Sequence, residues 1–217
     1  AQKSGMKVSN TPDGPTDAVA EMTLAAALTI CRNITSSNTA LHKKIWQKSI
    51  GMGIKNMNIL FIGYGRIGFK TAELFRALGA RILVCDPAIC TDNLKLGEEL
   101  VELKSGLELA NIITLHAGGN SPLLSSKQFQ YMKDGVIILN SARGTLIDED
   151  ALVTALDSGK VASIWLDVFL KEPYKGRMIE YDQVLLTPHI STYTIQCRRD
   201  MEMAAVKNIL RDLEIDL

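Results

Sequence analysis

A glycine-rich turn is the first part of this sequence whose residues are spaced for chemistry. In NILFIGYGRIGFKTAELF an apolar, β-type run leads directly into the spacing GxGxxG, and a helical pattern begins inside the motif. Gly63 permits a tight turn, Gly65 leaves room for a pyrophosphate against the backbone, and Gly68 lets the helix pack closely on the strand. The helix N-terminus offers unpaired N–H groups to the anion. The residues predicted to form this dinucleotide site are Gly63, Tyr64, Gly65, Arg66, Ile67 and Gly68.

An acidic residue follows the next apolar run, RILVCDP. Asp86 comes eighteen residues after Gly68, where a carboxylate would accept hydrogen bonds from the adenosine ribose hydroxyls. A 2′-phosphate there would be repelled, so the sequence favours NAD over NADP. Taken singly, the glycines could form a connecting turn and Asp86 could be a solvated strand-end acid. The order of strand, glycines, helix and acid favours dinucleotide binding.

Three later segments carry the residue types that hydride transfer to a 2-oxo acid requires: ILNSARGTLIDEDAL, SIWLDVFLKEP and VLLTPHIS. They place Arg143, Asp167 and His189 at or just after the ends of apparent strands. Ligands of open α/β sheets bind at the carboxyl ends of the strands, so these side chains could converge on one crevice. Each has an ordinary structural alternative, namely a surface cation, a cap and a strand-end histidine.

Short apolar runs that recur roughly every 25 residues must position these groups. Several are continuous rather than alternating, which is typical of strands covered on both faces, with helical crossovers between them. The predicted fold class is α/β, with a doubly wound parallel sheet. The predicted strands are Lys7–Ser9, Ile59–Ile62, Ile82–Cys85, Ile112–Leu115, Val136–Leu139, Ile164–Val168 and Val184–Leu186.

Four helices carry recognisable signals. One runs from Arg66 to Leu78 and is closed by Gly79, and a second begins after Asp148 as N-cap and ends at Gly159. A long, largely apolar helix is predicted over Thr16–Ile34. The last, over Thr194–Leu213, has one apolar stripe, which consists of Met203, Val206, Leu210 and Leu213.

Composition narrows the functional classes. The 217 residues are 47% hydrophobic, enough for one globular unit, and Lys plus Arg and Asp plus Glu both number 24. A balanced charge gives no field to attract nucleic acid or an anionic membrane, so we expect neither partner. Four cysteines without CxxC spacing or a histidine pair predict no metal site and a reduced, cytoplasmic location. The most apolar helical stretch, Met22–Cys31, is too short to span a bilayer.

The glycine motif and the three later segments, in this order, resemble the signatures of the D-isomer-specific 2-hydroxyacid dehydrogenases over nearly the whole chain. The opening NTPDGPTDAVAEMTLAAAL is also similar to the segment by which that family enters its nucleotide-binding domain. The resemblance implies a Rossmann fold, NAD as cofactor and a small 2-oxo or 2-hydroxy acid as substrate. It also implies a homodimer, in which we expect the helix Thr16–Ile34 to be a contact surface.

The resemblance also implies site residues. Arg143 in SARG would grip the substrate carboxylate, His189 in TPH would act as general acid and base, and Glu172 in KEP would hydrogen-bond that imidazole. Asp167 in LDVF would accept a hydrogen bond from the nicotinamide carboxamide. His116 in TLHAGGN is similar to a strand-end histidine beside the cofactor, although a structural role is an equal alternative. The further residues placed at the cofactor are Ala117, Ser141, Ala142, Ser191 and His189 itself.

The chain also departs from the family pattern. Ala117–Asn120 stand where a proline-leucine pair is frequent, and Ser191 and Thr192 replace frequent glycines, so contacts beside the nicotinamide transfer least well. Trp46 resembles an aromatic found before the glycine motif, and we interpret it as a packing or subunit contact.

Family members are longer, and we expect this chain to start within a domain, with Ala1–Gly5 ending a helix. Residues 1–15 would be a remnant of a substrate domain with Lys7–Asn10 its last strand, residues 16–192 the NAD-binding domain, and residues 193–217 the helix returning to the substrate domain. The cleft would then be half built, so we expect NAD binding with little turnover by the chain alone. The alternative to an enzyme is a regulatory NAD-binding module. The family's usual substrates are phosphoglycerate, glyoxylate, hydroxypyruvate and lactate.

Overall fold

Seven parallel strands form one sheet in the computed structural model, which describes residues 4–213. The strands are β1 (Asn58–Ile62), β2 (Arg81–Cys85), β3 (Glu98–Leu100), β4 (Ile112–Leu115), β5 (Val136–Asn140), β6 (Val161–Leu166) and β7 (Val184–Leu186). Their order across the sheet is β3-β2-β1-β4-β5-β6-β7. The chain direction across the sheet reverses between β1 and β4, and ligand crevices form at such a switch point. The predicted α/β class with a doubly wound parallel sheet is confirmed.

Helices cover both faces of this sheet. They are α1 (Thr16–Cys31), α2 (Ile34–His42), α3 (Arg66–Ala77), α4 (Leu103–Leu109), α5 (Ser126–Tyr131), α6 (Glu149–Asp157) and α7 (Ile195–Asp212). Alternate residues of β1 face opposite layers: Ile59 and Phe61 pack with residues of α1 and α3, whereas Leu60 and Ile62 pack with residues of α4, α5 and α6. This two-sided burial explains why β1 is a continuous apolar run rather than an alternating one.

The two helices with predicted caps, α3 and α6, have these caps in the structure. Past the end of α3, Gly79 has φ +81°, a left-handed conformation that costs glycine little. At the start of α6, the Asp148 carboxylate accepts a hydrogen bond from the Ala151 N–H at 3.0 Å. Gly159, with φ +73°, follows its last turn. The helix predicted over Thr194–Leu213 is present as α7.

Two boundaries differ from the prediction. The helix predicted over Thr16–Ile34 is interrupted, because α1 ends at Cys31 and Asn33 adopts a left-handed φ of +52° before α2 begins. Asparagine tolerates this conformation better than most residues do. The strand predicted over Ile164–Val168 runs instead from Val161 to Leu166, so Asp167 lies just past its carboxyl end.

One predicted strand is absent, and one observed strand was not predicted. Lys7–Ser9 was predicted as a strand, and Lys7–Asn10 as the last strand of a substrate domain, but these residues lie in no strand. Val8 is 54% exposed, and no strand in residues 4–213 pairs with this segment. β3 was not predicted at all, since its sequence EEL has little β character. Of the helix end predicted over Ala1–Gly5, residues 1–3 lie outside the described part of the chain.

Within residues 4–213, no helix is long and apolar enough to cross a membrane. The same residues contain no group of three His, Cys, Asp or Glu side chains that could hold a metal ion.

Candidate active site

The glycine turn joins β1 to α3 at the switch point of the sheet. A Cβ at Gly63, which has φ +92°, would lie 2.6 Å from the Ala117 nitrogen, and one at Gly68 would lie 2.4 Å from the Gly63 oxygen. A Cβ at Gly65 would meet nothing within 4 Å. Gly63 and Gly68 are therefore required by packing, whereas Gly65 faces open space beside the α3 N-terminus. This is the arrangement that a pyrophosphate needs.

Asp86 is tied to this turn. Its Oδ2 accepts a hydrogen bond from the Tyr64 N–H at 2.7 Å, and its Oδ1 accepts one from the Ala88 N–H at 2.8 Å. The carboxylate is partly exposed at the end of β2, next to the phosphate turn. The acid and the turn predicted to hold the two ends of an adenosine diphosphate therefore lie together.

The other residues of the glycine motif differ in exposure. The Tyr64 side chain is only 4% exposed and packs edge-on against Phe61 and Phe69, so only its backbone faces the turn. The Arg66 side chain is exposed, and its Nε lies 3.2 Å from Asp13 Oδ1. Ile67 is half-buried in the first turn of α3.

His189 and Glu172 meet, although seventeen residues separate them. His189 Nδ1 lies 3.0 Å from Glu172 Oε2, and the other carboxylate oxygen accepts a hydrogen bond from the Phe169 N–H at 3.1 Å. The hydrogen bond with His189 lowers the pKa of Glu172 below its ordinary value. His189 has φ +55°, a conformation that needs support from its surroundings when the residue is not glycine.

Asp167 supplies that support. Its fully buried carboxylate accepts hydrogen bonds from Thr187 Oγ1 at 2.6 Å and the Ile190 N–H at 2.9 Å, and from the Ser191 N–H and hydroxyl at 3.0 and 2.5 Å. These groups lie on both sides of His189 in the chain. Asp167 therefore clamps the segment that carries the histidine. Its predicted contact with the nicotinamide carboxamide stays a prediction, because all four of these bonds go to the segment Thr187–Ser191 that follows β7.

Arg143 follows β5, beside the strand that precedes Asp167. Its side chain is exposed, and Nη1 donates to the Ala142 oxygen at 2.6 Å. A Cβ at Gly144 would lie 2.1 Å from the Phe169 carbonyl carbon, so this turn presses directly on the segment that leads to Glu172. Arg143, Asp167 and His189 thus follow three neighbouring strands, β5, β6 and β7, at one sheet edge, but Arg143 makes no hydrogen bond to His189 or Glu172.

The predicted cofactor residues after β4 and β5 lie at the same edge. The His116 ring stacks on Phe61, and its Nε2 is 2.9 Å from Thr114 Oγ1. Burial lowers the pKa of His116 to about 3, so the ring is neutral at physiological pH. Ala117 contacts the glycine turn. Ser141 and Ala142 are half-buried in the turn before Arg143, where Ser141 Oγ lies 3.4 Å from the buried Thr23 hydroxyl of α1.

Two polar residues in this region were missed by the sequence prediction. Asn140, at the end of β5, hydrogen-bonds the turn that carries Arg143. Thr187 accepts a hydrogen bond from Trp165 Nε1 at 2.9 Å and donates to Asp167. The sequence did contain a signal for both residues. Each is a polar residue at or just past the end of an apolar run, and Asn140 directly precedes SARG whereas Thr187 directly precedes PH.

An open cavity of about 620 Å³ lies beside the His189–Glu172 pair, on the side of Glu172. Its walls are mostly apolar and include Phe169, Tyr174, Leu186 and Pro188. Glu172 therefore has apolar surroundings on one side and the imidazole on the other.

Comparison with known proteins gives one consistent result. The family model described as "D-isomer specific 2-hydroxyacid dehydrogenase, NAD binding domain" matches residues 24–191. D-3-phosphoglycerate dehydrogenase of Archaeoglobus fulgidus is 34% identical over 97% of this chain and 41% of that protein. Hydroxypyruvate reductase of Blautia hydrogenotrophica is 36% identical over 96% of this chain and 69% of that protein.

A solved structure has the same fold. D-lactate dehydrogenase from Aquifex aeolicus, in complex with NAD and lactic acid, superposes with a TM-score of 0.90 at 26% identity, over 98% of this chain and 71% of that one. This chain therefore spans between about two fifths and seven tenths of the proteins it matches.

Proposed function

The chain belongs to the D-isomer-specific 2-hydroxyacid dehydrogenase family, and we propose that it serves the reversible reduction of a 2-oxo acid to a D-2-hydroxy acid. The observation that carries this proposal is the His189–Glu172 pair, 3.0 Å apart, at the same sheet edge as the glycine turn and Arg143. An acid–base group, a fixed cation and a dinucleotide turn are the three components that such a reaction requires.

NAD is the cofactor of this family's domain, and the glycine turn fits it. Gly65 leaves open space at the α3 N-terminus for the pyrophosphate, and Asp86 lies where the adenosine ribose would be held. Bound NAD accepts or supplies the hydride. We propose a preference for NAD over NADP, since the Asp86 carboxylate would repel a 2′-phosphate.

His189 moves the proton in this proposal. Glu172 holds the proton on Nδ1, which leaves Nε2 to donate to the carbonyl oxygen during reduction and to accept from the hydroxyl during oxidation. The Phe169 N–H fixes the second oxygen of Glu172, and Asp167 fixes the backbone around His189. Both partners are thus held before substrate arrives.

Arg143 binds the substrate carboxylate. Its planar, permanently charged guanidinium can form two parallel hydrogen bonds to a carboxylate, which a lysine cannot reproduce. Its present partner is the Ala142 carbonyl, an interaction that a carboxylate would replace. We propose a small 2-oxo acid such as hydroxypyruvate or glyoxylate as the substrate. Two of the relatives are named hydroxypyruvate reductase and glyoxylate reductase.

The alternative that we propose is a regulatory or NAD-binding module, which would bind NAD without turnover. We propose that residues 1–15 and 193–217 belong with a substrate domain and that residues 16–192 form the NAD-binding domain. The exposed apolar side chains of α7, Met203, Val206 and Ile209, support this division.

One titration separates the two functions. NADH is added to the chain while nicotinamide fluorescence is followed, and glyoxylate and hydroxypyruvate are then added while NADH absorbance is followed. Binding with oxidation supports the dehydrogenase, binding without oxidation supports the module, and no binding contradicts both.

We further propose a homodimer. One face of α1 packs against α3 and the sheet, whereas α2 and the segment after it expose several large apolar side chains. Its exposed residues are Ile34, Leu41, Ile45, Trp46 and Ile50. Trp46 is 80% exposed and Ile50 is 99% exposed, which favours burial in a subunit contact. For the location we propose a reducing compartment such as the cytoplasm, since the four cysteines are unpaired.

A further inference from the structure

Asn140 is a buried polar residue to which no part of the proposed chemistry has assigned a task. It is the last residue of β5, and its side chain is fully buried. Its Nδ2 donates to the Arg143 carbonyl at 3.0 Å, and its Oδ1 accepts from the Ala142 N–H at 3.0 Å. One amide group therefore closes the turn that contains Ser141, Ala142 and Arg143.

The other side of this turn is held by packing. The backbone at Gly144 lies so close to Phe169 and Leu170 that a Cβ there would overlap their backbone atoms at 2.1 to 2.5 Å. Asn140 also accepts, through its backbone oxygen, a hydrogen bond from the Asp167 N–H at 3.0 Å. The Arg143 backbone is thus fixed from two directions, and only its exposed side chain is free to exchange partners.

We propose that Asn140 is the positioning residue for this turn, setting Ser141 and Ala142 against the nicotinamide half of NAD and Arg143 toward the substrate carboxylate. The inference rests on the proposed function. An amide is required because the turn presents one carbonyl and one N–H to the same side chain. Aspartate supplies only acceptors when ionised, and alanine leaves both backbone groups without partners in a buried site, where each is costly.

Binding measurements test this assignment without any need for turnover. NADH and ADP-ribose share the adenosine diphosphate and differ in the nicotinamide, so a defect confined to the turn separates them. Asn140→Ala and Asn140→Asp are compared with the unsubstituted chain by calorimetric titration with both ligands. Asn58→Ala is the matched control, since Asn58 Nδ2 also donates to a backbone carbonyl, that of Leu109 at 3.1 Å, but at the opposite edge of the sheet.

We expect both Asn140 variants to lose NADH affinity by about five- to tenfold, the scale of one lost buried hydrogen bond. Their affinity for ADP-ribose stays within about twofold, and Asn58→Ala changes neither. Retained ADP-ribose binding also shows that the variants fold. Unchanged NADH affinity, or an equal loss for both ligands, would overturn the inference and leave the proposed function standing. If the unsubstituted chain binds neither ligand, the proposed function fails and the inference fails with it.

Discussion

Glu172 is held by two partners at once: Oε2 lies 3.0 Å from His189 Nδ1, and Oε1 accepts the Phe169 N–H at 3.1 Å. The carboxylate therefore cannot rotate away from the imidazole without losing a backbone hydrogen bond. In the proposed reaction, this fixes the tautomer and direction of His189 before substrate binds. Removing the charge of Glu172 should therefore disturb the orientation of His189.

Glu172→Gln keeps the shape of the side chain but removes its charge. We expect kcat/KM for hydroxypyruvate or glyoxylate to fall by about 100-fold, the lower end for disturbing a general acid, while NADH affinity changes by less than about twofold. Steady-state kinetics and NADH titration are done on the same preparation. A kcat/KM within threefold of the unsubstituted chain would contradict the assignment of the pair.

The same variant has a pH signature. Because the His189 hydrogen bond lowers the pKa of Glu172 below 4.5, the folded state binds fewer protons there than the unfolded state does. The stability it contributes is therefore present above about pH 4.5 and is lost as the pH falls through the folded pKa. In urea titrations at several pH values, the free energy of unfolding should fall less steeply with decreasing pH in Glu172→Gln than in the unsubstituted chain. Identical profiles would argue that the pair is not formed in solution.

Gly63 and Gly65 form a matched pair for the second prediction. Gly63→Ala forces a side chain into φ +92° and to 2.6 Å from backbone atoms, so we expect it to destabilise the fold by about 2–4 kcal/mol. Gly65→Ala meets no atom within 4 Å and should leave the stability unchanged within about 0.5 kcal/mol. It should nevertheless lower NADH affinity at least tenfold, because the methyl group occupies the space of the pyrophosphate. Denaturant titration measures the stability, and nicotinamide fluorescence measures the NADH affinity. Equal losses of stability in the two variants would refute the different roles assigned to Gly63 and Gly65.

Asp167→Asn tests the clamp on His189. In the unsubstituted protein the Ile190 and Ser191 N–H groups donate to the two oxygens of the Asp167 carboxylate. An amide replaces one of these oxygens by an NH₂ group, which cannot accept, so at least one of the two hydrogen bonds is lost. We expect a loss of about 1–3 kcal/mol in the free energy of unfolding, measured by urea titration. The control is Asp157→Asn, an exposed acid that bonds the Tyr181 hydroxyl at 3.0 Å and should change the stability little. If the two variants lose the same stability, Asp167 does not act as a clamp.

The sequence predicted the parts of this fold that depend on local pattern. Six of the seven strands were located because each lies in a short, mostly apolar run, and β3 was missed because its EEL sequence has no such run. Glu98 accepts a hydrogen bond from Arg76 of α3 at 2.5 Å, a contact that no local pattern announces. Conversely, Lys7–Ser9 has strand composition but no neighbouring strand in residues 4–213.

The site divides in the same way. Residues placed by motif, such as Arg143, Asp167 and His189, fall at one sheet edge because parallel strands end together. The contacts that organise them were not predictable, since they depend on register between strands. Asn140 reaches Arg143 and Ala142, and Thr187 reaches Asp167, only in the folded sheet.

His116 provides the final prediction. Burial lowers its pKa to about 3 from an ordinary 6.5, so between these values the unfolded chain binds a proton that the folded chain excludes. Stability should therefore be complete above about pH 6.5 and should decline as the pH falls, by at most about 1.4 kcal/mol per pH unit. Between pH 6.5 and about 5 most carboxylates remain ionised, so this window isolates histidine. We expect His116→Gln to remove about 1–2 kcal/mol of the pH dependence there.

The exposed His42 of α2 provides the matched control, because His42→Gln removes a histidine without removing a buried one. Urea titrations of the three proteins at pH 7 and about pH 5 measure the difference. A pH dependence that survives in His116→Gln and disappears in His42→Gln would place the excluded proton elsewhere. The expected result instead identifies the ring stacked on Phe61, beneath the glycine turn, as neutral over the whole physiological range. Cofactor binding would then occur next to a histidine that adds no charge to the site.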